Sequence, residues 1–348
     1  MTYSIIVPVF NRPDEVDELL SSLTRQAYRD FEVIIVEDGS QVTCEKVCQS
    51  YNERLSLSYY SKANSGPGQS RNYGAERAKG DYLIILDSDV VLPDGYLKAV
   101  DEELTLAPCD AFGGADASHP SFTPVQKAIS YAMTSFFTTG GIRGGKKKLD
   151  RFYPRSYNMG IRSEVYHSLG GFSKMRFGED IDFSYRIVES GCTCRLFPEA
   201  WVWHKRRTDF RKFFRQVYNS GIARINLEKR HPGTLKLVHA LPAIFTAGVA
   251  ALALLFVCGL AVAGFGGNTM RPTGTCICQL ALLPLLMYSL LICISSTIQN
   301  RSLHVGLLSV PAAFTQLIGY GSGFIEAWWK RCIKKEDEFH AFENTFYK

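Results

Sequence analysis

The stretch GDYLIILDSDV, residues 80 to 90, is apolar for most of its length and then sets carboxylates at Asp87 and Asp89. In extended backbone, residues i and i+2 point to the same side. Two like charges so placed repel unless a cation lies against them. Hard oxygen donors suit Mg2+ or Mn2+, ions that bridge carboxylate and phosphate oxygens. A solvated acidic turn with aspartate as a helix cap explains the same letters, so the pair gains meaning only from its company. That company is substantial. EDGS (37 to 40) puts Asp38 at the end of another apolar run. NSGPGQSRNYG (64 to 74) offers Gly66 and Gly68, which let backbone approach a phosphate, and a planar cation at Arg71. GEDIDFSYRI (178 to 187) opens a helical pattern with Glu179 and Asp180, where acids also simply favour a helix N-terminus.

The elements that must position these groups alternate. SIIVPVF (4 to 10), FEVIIV (31 to 36), LSLSYYSK (55 to 62) and DYLIIL (81 to 86) read as strands. Val16, Leu19, Leu20 and Leu23 keep helical spacing between the first two, and residues 69 to 79 read as a helix before the fourth. Strands alternating with helices predict right-handed βαβ units and a mostly parallel sheet buried on both faces. Ligands of such sheets sit beyond the carboxyl ends of the strands. Asp38 and Asp87 both fall there. GGIRGGKKK (140 to 148) reads as a mobile loop.

Length, charge and hydropathy bound the rest. The chain has 348 residues, 46% hydrophobic and 21% charged, enough for one large domain or two ordinary ones. The net charge of +5 is concentrated between Trp203 and Lys236, next to long uncharged runs, which points to a membrane surface. No nucleic-acid module is legible, and nucleic acid is not expected as a partner. The ten cysteines are scattered without CxxC pairs, so buried reduced thiols are expected in place of zinc or disulfides. MTYSIIVPVF lacks a basic n-region and a cleavage site and reads as no signal peptide.

Three uncharged runs, at about 238–264, 274–296 and 303–325, are each long enough for the ~20 residues that span a bilayer. The third is weaker, being interrupted by Gly306, Pro311, Gly319, Gly321 and Gly323. Basic residues precede the first run (Arg224, Lys229, Arg230, Lys236) and follow the third (Lys330, Arg331, Lys334, Lys335). Both flanks should then be cytoplasmic, a conflict removed by two spans plus a re-entrant or interfacial third segment. The expected organisation is a catalytic domain over 1–230, a membrane region over 231–329 and a basic, then mixed tail over 330–348.

Taken in order, SIIVPVFNRPDEV, FEVIIVEDGS, NSGPGQSRNYGAERAKGDYLIILDSDV, NMGIRSEVYHSLGGF and GEDIDFSYRI resemble the family 2 glycosyltransferases, over roughly residues 3 to 230. The resemblance implies a GT-A fold: a Rossmann-like, mostly parallel α/β sheet with flanking helices, here followed by C-terminal transmembrane helices. It also implies a nucleoside-diphosphate sugar donor, a divalent metal and inversion at the anomeric carbon. Pro8, Val9 and Asn11 would line the base pocket, Asp38 would bond the base or ribose, and Gly68 and Arg71 would border the nucleotide. Asp87 would contact ribose or metal, and Asp89 would hold the metal on the diphosphate. Asp180 matches the general base, with Glu179 orienting the acceptor. Asn158 and Gly171 match the segment that touches donor sugar and acceptor, although Gly170-Gly171 equally reads as a helix C-cap and turn. His204 sits where relatives carry a histidine near the diphosphate or metal; a structural histidine is the alternative. The role of Arg186 stays open.

Processive members of the family carry Q-x-x-R-W after the acidic pair, and RQVYNSGIARINL has no such motif. A single hexosyl or related transfer is therefore expected, to a saccharide or lipid-linked hydroxyl in surface polysaccharide or glycan assembly. Polyprenyl phosphate is the alternative acceptor. The expected location is the inner (cytoplasmic) membrane, multi-pass, with the catalytic domain in the cytoplasm. A sugar nucleotidyltransferase would want a triphosphate loop after the first strand, and VPVFNRPDE is not one. A scaffold or transporter subunit would want charged residues within the spans.

Overall fold

The computed structural model describes residues 1–117, 119, 121–139, 152–175 and 177–338. The Gly/Lys-rich stretch read as a mobile loop lies outside them, apart from which the chain divides into two compact units. The first comprises Met1–Pro120 and Lys147–Lys205, and the second Ser121–Lys146 and Arg206–Ala341.

In the first unit the elements run β1 (Tyr3–Val9), α1 (Pro13–Thr24), β2 (Phe31–Asp38), α2 (Glu45–Gln49), β3 (Leu57–Lys62), α3 (Pro67–Ala75), β4 (Tyr82–Leu86), β5 (Val90–Val91), α4 (Tyr96–Leu106), β6 (Ala111–Gly113) and β7 (Asp116–Ala117). In the second, α5 (Pro124–Thr134) and α6 (Phe136–Thr139) follow. The chain then returns to the first unit as β8 (Asn158–Arg162), α7 (Ser163–Ser168), α8 (Glu179–Glu189), β9 (Cys194–Leu196) and β10 (Val202–His204). It ends in the second as α9 (Phe210–Arg230), α10 (Leu237–Phe265), α11 (Gly267–Asn300) and α12 (Leu303–Trp328).

Seven strands form the main sheet in the order β3-β2-β1-β4-β8-β6-β9. The first four are mutually parallel, β8 lies antiparallel between β4 and β6, and β9 is again parallel to β6. The mostly parallel sheet of the sequence reading is thus present, with one reversed strand. Every residue of β4 is buried, as expected for a central strand covered on both faces. One face packs on Val16, Leu19, Leu20 and Leu23 of α1 and Leu97, Val100 and Leu104 of α4. The other packs on Ala75 of α3 and Phe183 and Ile187 of α8. Gly74 is a glycine because a Cβ there would meet the Ile6 side chain at 2.6 Å. α3 can thereby lie flat on the sheet and bring Arg71 to its carboxyl edge.

A second sheet, β5-β10-β7, is small but decisive. β5 begins one residue after the Asp87-Ser88-Asp89 turn, and β10 pairs antiparallel with it, His204 opposite Val90. In the second unit α10, α11 and α12 are each long and apolar enough to cross a membrane. The run read as the weakest of the three is one unbroken helix, and its glycines are packing positions. A Cβ at Gly319 or Gly323 would collide with Val217 or with the Tyr218 carbonyl of α9. Small residues at such points let two backbones approach closely.

Candidate active site

Four strand ends and two helix starts converge on the carboxyl edge of the main sheet. After β1, Asn11 takes φ +54°, a left-handed conformation that asparagine tolerates. Its side-chain oxygen accepts from the N–H groups of Gln41 (2.8 Å) and Val42 (3.0 Å), tying the first edge loop to the second. Pro8 is half-buried and Val9 buried beneath it. After β2, the Asp38 carboxylate accepts from the N–H groups of Ser65 (2.9 Å) and Gly66 (2.9 Å) and from Lys62. It thereby anchors the glycine-rich loop ahead of α3. Gly68, in the first turn of α3, sits so near Glu179 that a Cβ would lie 3.2 Å from its Cγ.

Arg71 is the hub. It is buried, and its guanidinium donates to Asp87 (2.8 Å) and to Glu179 (3.0 Å). One planar cation thus joins the Asp-x-Asp turn to the acidic pair, which a lysine's single ammonium cannot do with the same fixed geometry. Burial pushes the Glu179 carboxyl up to about 7, against the lowering pull of Arg71, with the neighbouring Asp180 charge adding to the rise. Asp180 behaves oppositely. Burial alone would raise its pKa, but Arg155, at 2.8 Å, and Arg71 together bring it below the ordinary carboxylate range. The two neighbours are thus pushed in opposite directions, Glu179 up and Asp180 down.

His204 completes the other side. The register of β10 on β5, with a hydrogen bond from the Lys205 N–H to the Asp89 carbonyl (3.0 Å), sets it against the turn. Its Nε2 lies 3.2 Å from Asp89 and its ring stacks on Tyr157 at 5.0 Å. Burial disfavours the imidazolium, but the charge of Asp89 and the bonds to Asp116 and Asp89 outweigh that and hold the pKa up at about 9. Arg12 bonds the second oxygen of Asp89 at 2.6 Å. Asp87, Asp89 and His204 each offer a ligand atom, all within 4.8 Å of one another. Two carboxylates and an imidazole, partly buried and converging, fit a divalent ion of the Mn2+ or Mg2+ type.

Of the residues singled out in the sequence, Gly68, Arg71, Asp87, Asp89, Glu179, Asp180 and His204 come together here. Pro8, Val9, Asn11 and Asp38 line the same edge further along. Asn158 and Gly171 have structural surroundings. The Asn158 side chain is 0% exposed, accepting from the Tyr96 hydroxyl (2.6 Å) and donating to the Ala200 carbonyl (2.8 Å). Its amide braces the core, with both ends already bonded. Gly171, at φ +64°, occupies a turn in which a Cβ would lie 2.4 Å from the Asn72 side chain. Arg186, left open above, donates to the carbonyls of Leu169 (2.8 Å) and Gly171 (2.7 Å) and holds that turn. Sequence reasoning missed Arg12, Arg155, Asp116 and Tyr157. Arg12 lies inside the first quoted motif and Tyr157 directly before the fourth, whereas Arg155 and Asp116 sit in stretches with no local pattern.

The order of the sheet and the groups at its carboxyl edge fit the GT-A fold. Residues 4–170, just under half of the chain, match the family model described as glycosyl transferase family 2. An uncharacterized glycosyltransferase of Haemophilus influenzae is 48% identical over 195 residues, 53% of this chain and 62% of that protein. The validoxylamine A glucosyltransferase of Streptomyces hygroscopicus subsp. jinggangensis is 25% identical over 228 residues, 57% of this chain and 54% of that protein. The chain thus spans less than two thirds of the length of these curated relatives. A mannosyltransferase from Pyrobaculum calidifontis, solved with GDP-Man and Mn2+, shares the fold at a TM-score of 0.56 and 14% identity, with 94% of this chain and 87% of that one covered.

Proposed function

We propose that the protein is a membrane-associated, inverting glycosyltransferase that moves one sugar from a nucleoside-diphosphate sugar to a hydroxyl of a lipid-linked acceptor in glycan assembly. The observation that carries this reading is the bridge through Arg71. It ties the candidate metal ligands to the acidic pair and so puts a diphosphate-binding group and a proton acceptor in one site.

In this mechanism Pro8, Val9, Asn11 and Asp38 border the base and ribose, and Gly68 and Arg71 flank the nucleotide near Asp87. Asp87, Asp89 and His204 would hold Mg2+ or Mn2+, which when bound supplies charge stabilisation to a departing diphosphate. Asp180, kept ionised by Arg155, accepts the proton of the acceptor hydroxyl. The freed oxygen attacks the anomeric carbon on the face opposite the diphosphate, which inverts the centre. Glu179, beside it, positions the acceptor. The active unit stands on the cytoplasmic side of the inner membrane, where a lipid-linked acceptor presents its head group.

The test is nucleoside-diphosphate release by the purified protein in detergent, over a panel of nucleotide sugars with Mn2+, Mg2+ or EDTA. Extracted lipid-linked saccharides and polyprenyl phosphate serve as separate acceptor arms. Turnover of one donor, abolished by EDTA and by Asp89→Ala and Asp180→Ala, is the expected result. Turnover that survives both substitutions would overturn the assignment.

A further inference from the structure

The three apolar helices of the second unit do not run side by side. α10 and α11 are antiparallel neighbours: Gly259 lies against Gly274 and Cys278, and Phe245 against Tyr288 (5.3 Å). α12 starts on the last turns of α11. There Gly306 packs on Cys293 and Thr297, and the hydroxyls of Ser309 and Ser296 bond at 2.6 Å. Midway, Phe314 touches both Phe245 and Tyr288 at 5.7 Å. α12 finishes on the first turns of α10, where the Thr246 hydroxyl reaches the Leu317 carbonyl (3.3 Å) and Gly321 packs on the Pro242 carbonyl.

α12 is thus antiparallel to both members of a pair that is itself antiparallel. A helix achieves that only by crossing them. Its contacts on α11 lie between Tyr288 and Thr297, and on α10 between Pro242 and Thr246, all at the end where α10 begins and α11 stops. A 26-residue helix is about 39 Å long at 1.5 Å per residue, yet both its ends stay at that level. The tail agrees. Arg230, which precedes α10, donates to Glu338, which follows α12, at 2.9 Å. Had α12 crossed the bilayer, a hydrocarbon core of about 30 Å would separate those two residues.

We infer that only α10 and α11 cross the membrane, and that α12 lies in the plane of the bilayer surface with its unpartnered face against lipid. Leu303, Leu307 and Ile325 are exposed along that face, and Trp329 is exposed directly after the last turn of α12. An apolar stripe on a helix buried shallowly at the headgroup boundary is the surface such lipid recognises, and tryptophans are at home at that depth. α9, packed along α12 through Gly221, Gly319 and Gly323, joins it in one layer. Both basic flanks, Arg224 to Lys236 and Lys330 to Lys335, then fall on one side with Arg301, as the positive-inside rule requires. This placement is independent of which sugar, if any, is transferred.

Three tagged versions of the full chain test it: an epitope at the N-terminus, one at the C-terminus, and one inserted between Gly266 and Gly267. Each is expressed in cells, and sealed membrane vesicles are treated with protease before and after permeabilisation. The N- and C-terminal epitopes should be lost or protected together, and the inserted one should show the opposite pattern. A C-terminal epitope on the side opposite the N-terminal one would establish a third crossing and overturn the inference. Three epitopes on one side would overturn it as well. If the insertion prevents accumulation, the two terminal tags still decide between two crossings and three.

Discussion

Arg71 donates to Glu179 at 3.0 Å across 108 residues of sequence, and the same guanidinium holds Asp87. Removing the cation leaves the buried Glu179 and the partly exposed Asp87 without that partner. Arg71→Ala should therefore lower stability by about 3–5 kcal/mol, the cost of breaking a buried pair from one side. Arg71→Lys should cost less but still reduce turnover, since one ammonium cannot keep both contacts. Thermal unfolding of the detergent-solubilised variants reads this. An Arg71→Ala protein within about 0.5 kcal/mol of the parent, the range of ordinary surface changes, would show that the bridge is not structural.

Glu179 gives a pH signature. Its pKa in the folded chain is raised from the ordinary 4.5 to about 7 by burial. A raised folded value means that the stability it contributes is fully present below pH 4.5 and is lost as pH climbs through about 7. Glu179→Gln cannot titrate. The stability of Glu179→Gln relative to the parent should therefore improve steadily across that window, whatever its absolute offset. Melting temperatures of both proteins from pH 4.5 to 8 check it; a constant or worsening difference would contradict the assignment.

Asp180 and Arg155 separate base strength from base identity. Asp180→Asn should cut turnover by about 10²–10⁴-fold, the usual worth of a positioned base, while leaving donor binding intact. Arg155→Ala keeps the carboxylate but removes the cation that lowers its pKa. The acidic limb of the activity profile should then move to higher pH. An Arg155→Ala profile that is merely scaled down, with no shift, would assign Arg155 to packing alone.

The ligand set can be read without turnover. His204→Ala and Asp89→Asn should each weaken Mn2+ binding by about tenfold or more, measured by paramagnetic resonance titration in the absence of donor. Unchanged affinity in both would remove the Asp87–Asp89–His204 group from consideration.

Packing in the membrane unit is testable by size. A Cβ at Gly323 would lie 2.1 Å from the Tyr218 carbonyl, whereas one at Gly248 meets nothing within 4 Å. Gly323→Leu should destabilise by about 1–3 kcal/mol or more through overpacking, and Gly248→Leu should be near neutral. Equal effects on thermal unfolding in detergent would argue against the close approach of α9 and α12.

Much of this protein is determined along the chain. Continuous apolar runs, helical spacing between them and acids at the strand ends predict the alternating sheet and its carboxyl edge, and the resemblance to the family 2 glycosyltransferases implies the grouping of Arg71, Asp87, Asp89, Glu179 and Asp180. Each of those motifs is local, and local spacing fixes which residues share a face or an edge. The uncharged runs are legible for the same reason. Pairings between distant segments are not. Arg12 reaches Asp89, Arg155 reaches Asp180 and His204 lies on the Asp-x-Asp turn only because strand register and helix packing bring those backbones together. Nothing in the neighbouring letters encodes that. Asn158 shows the converse: a residue in a recognisable motif whose side chain is consumed by the Tyr96 and Ala200 contacts of the core. For α12 the flanking charges already favour an interfacial third segment, and the tertiary contacts add which helices it crosses. Hydropathy measures only whether a helix is apolar and long enough to cross, while the partners at its two ends decide whether it does.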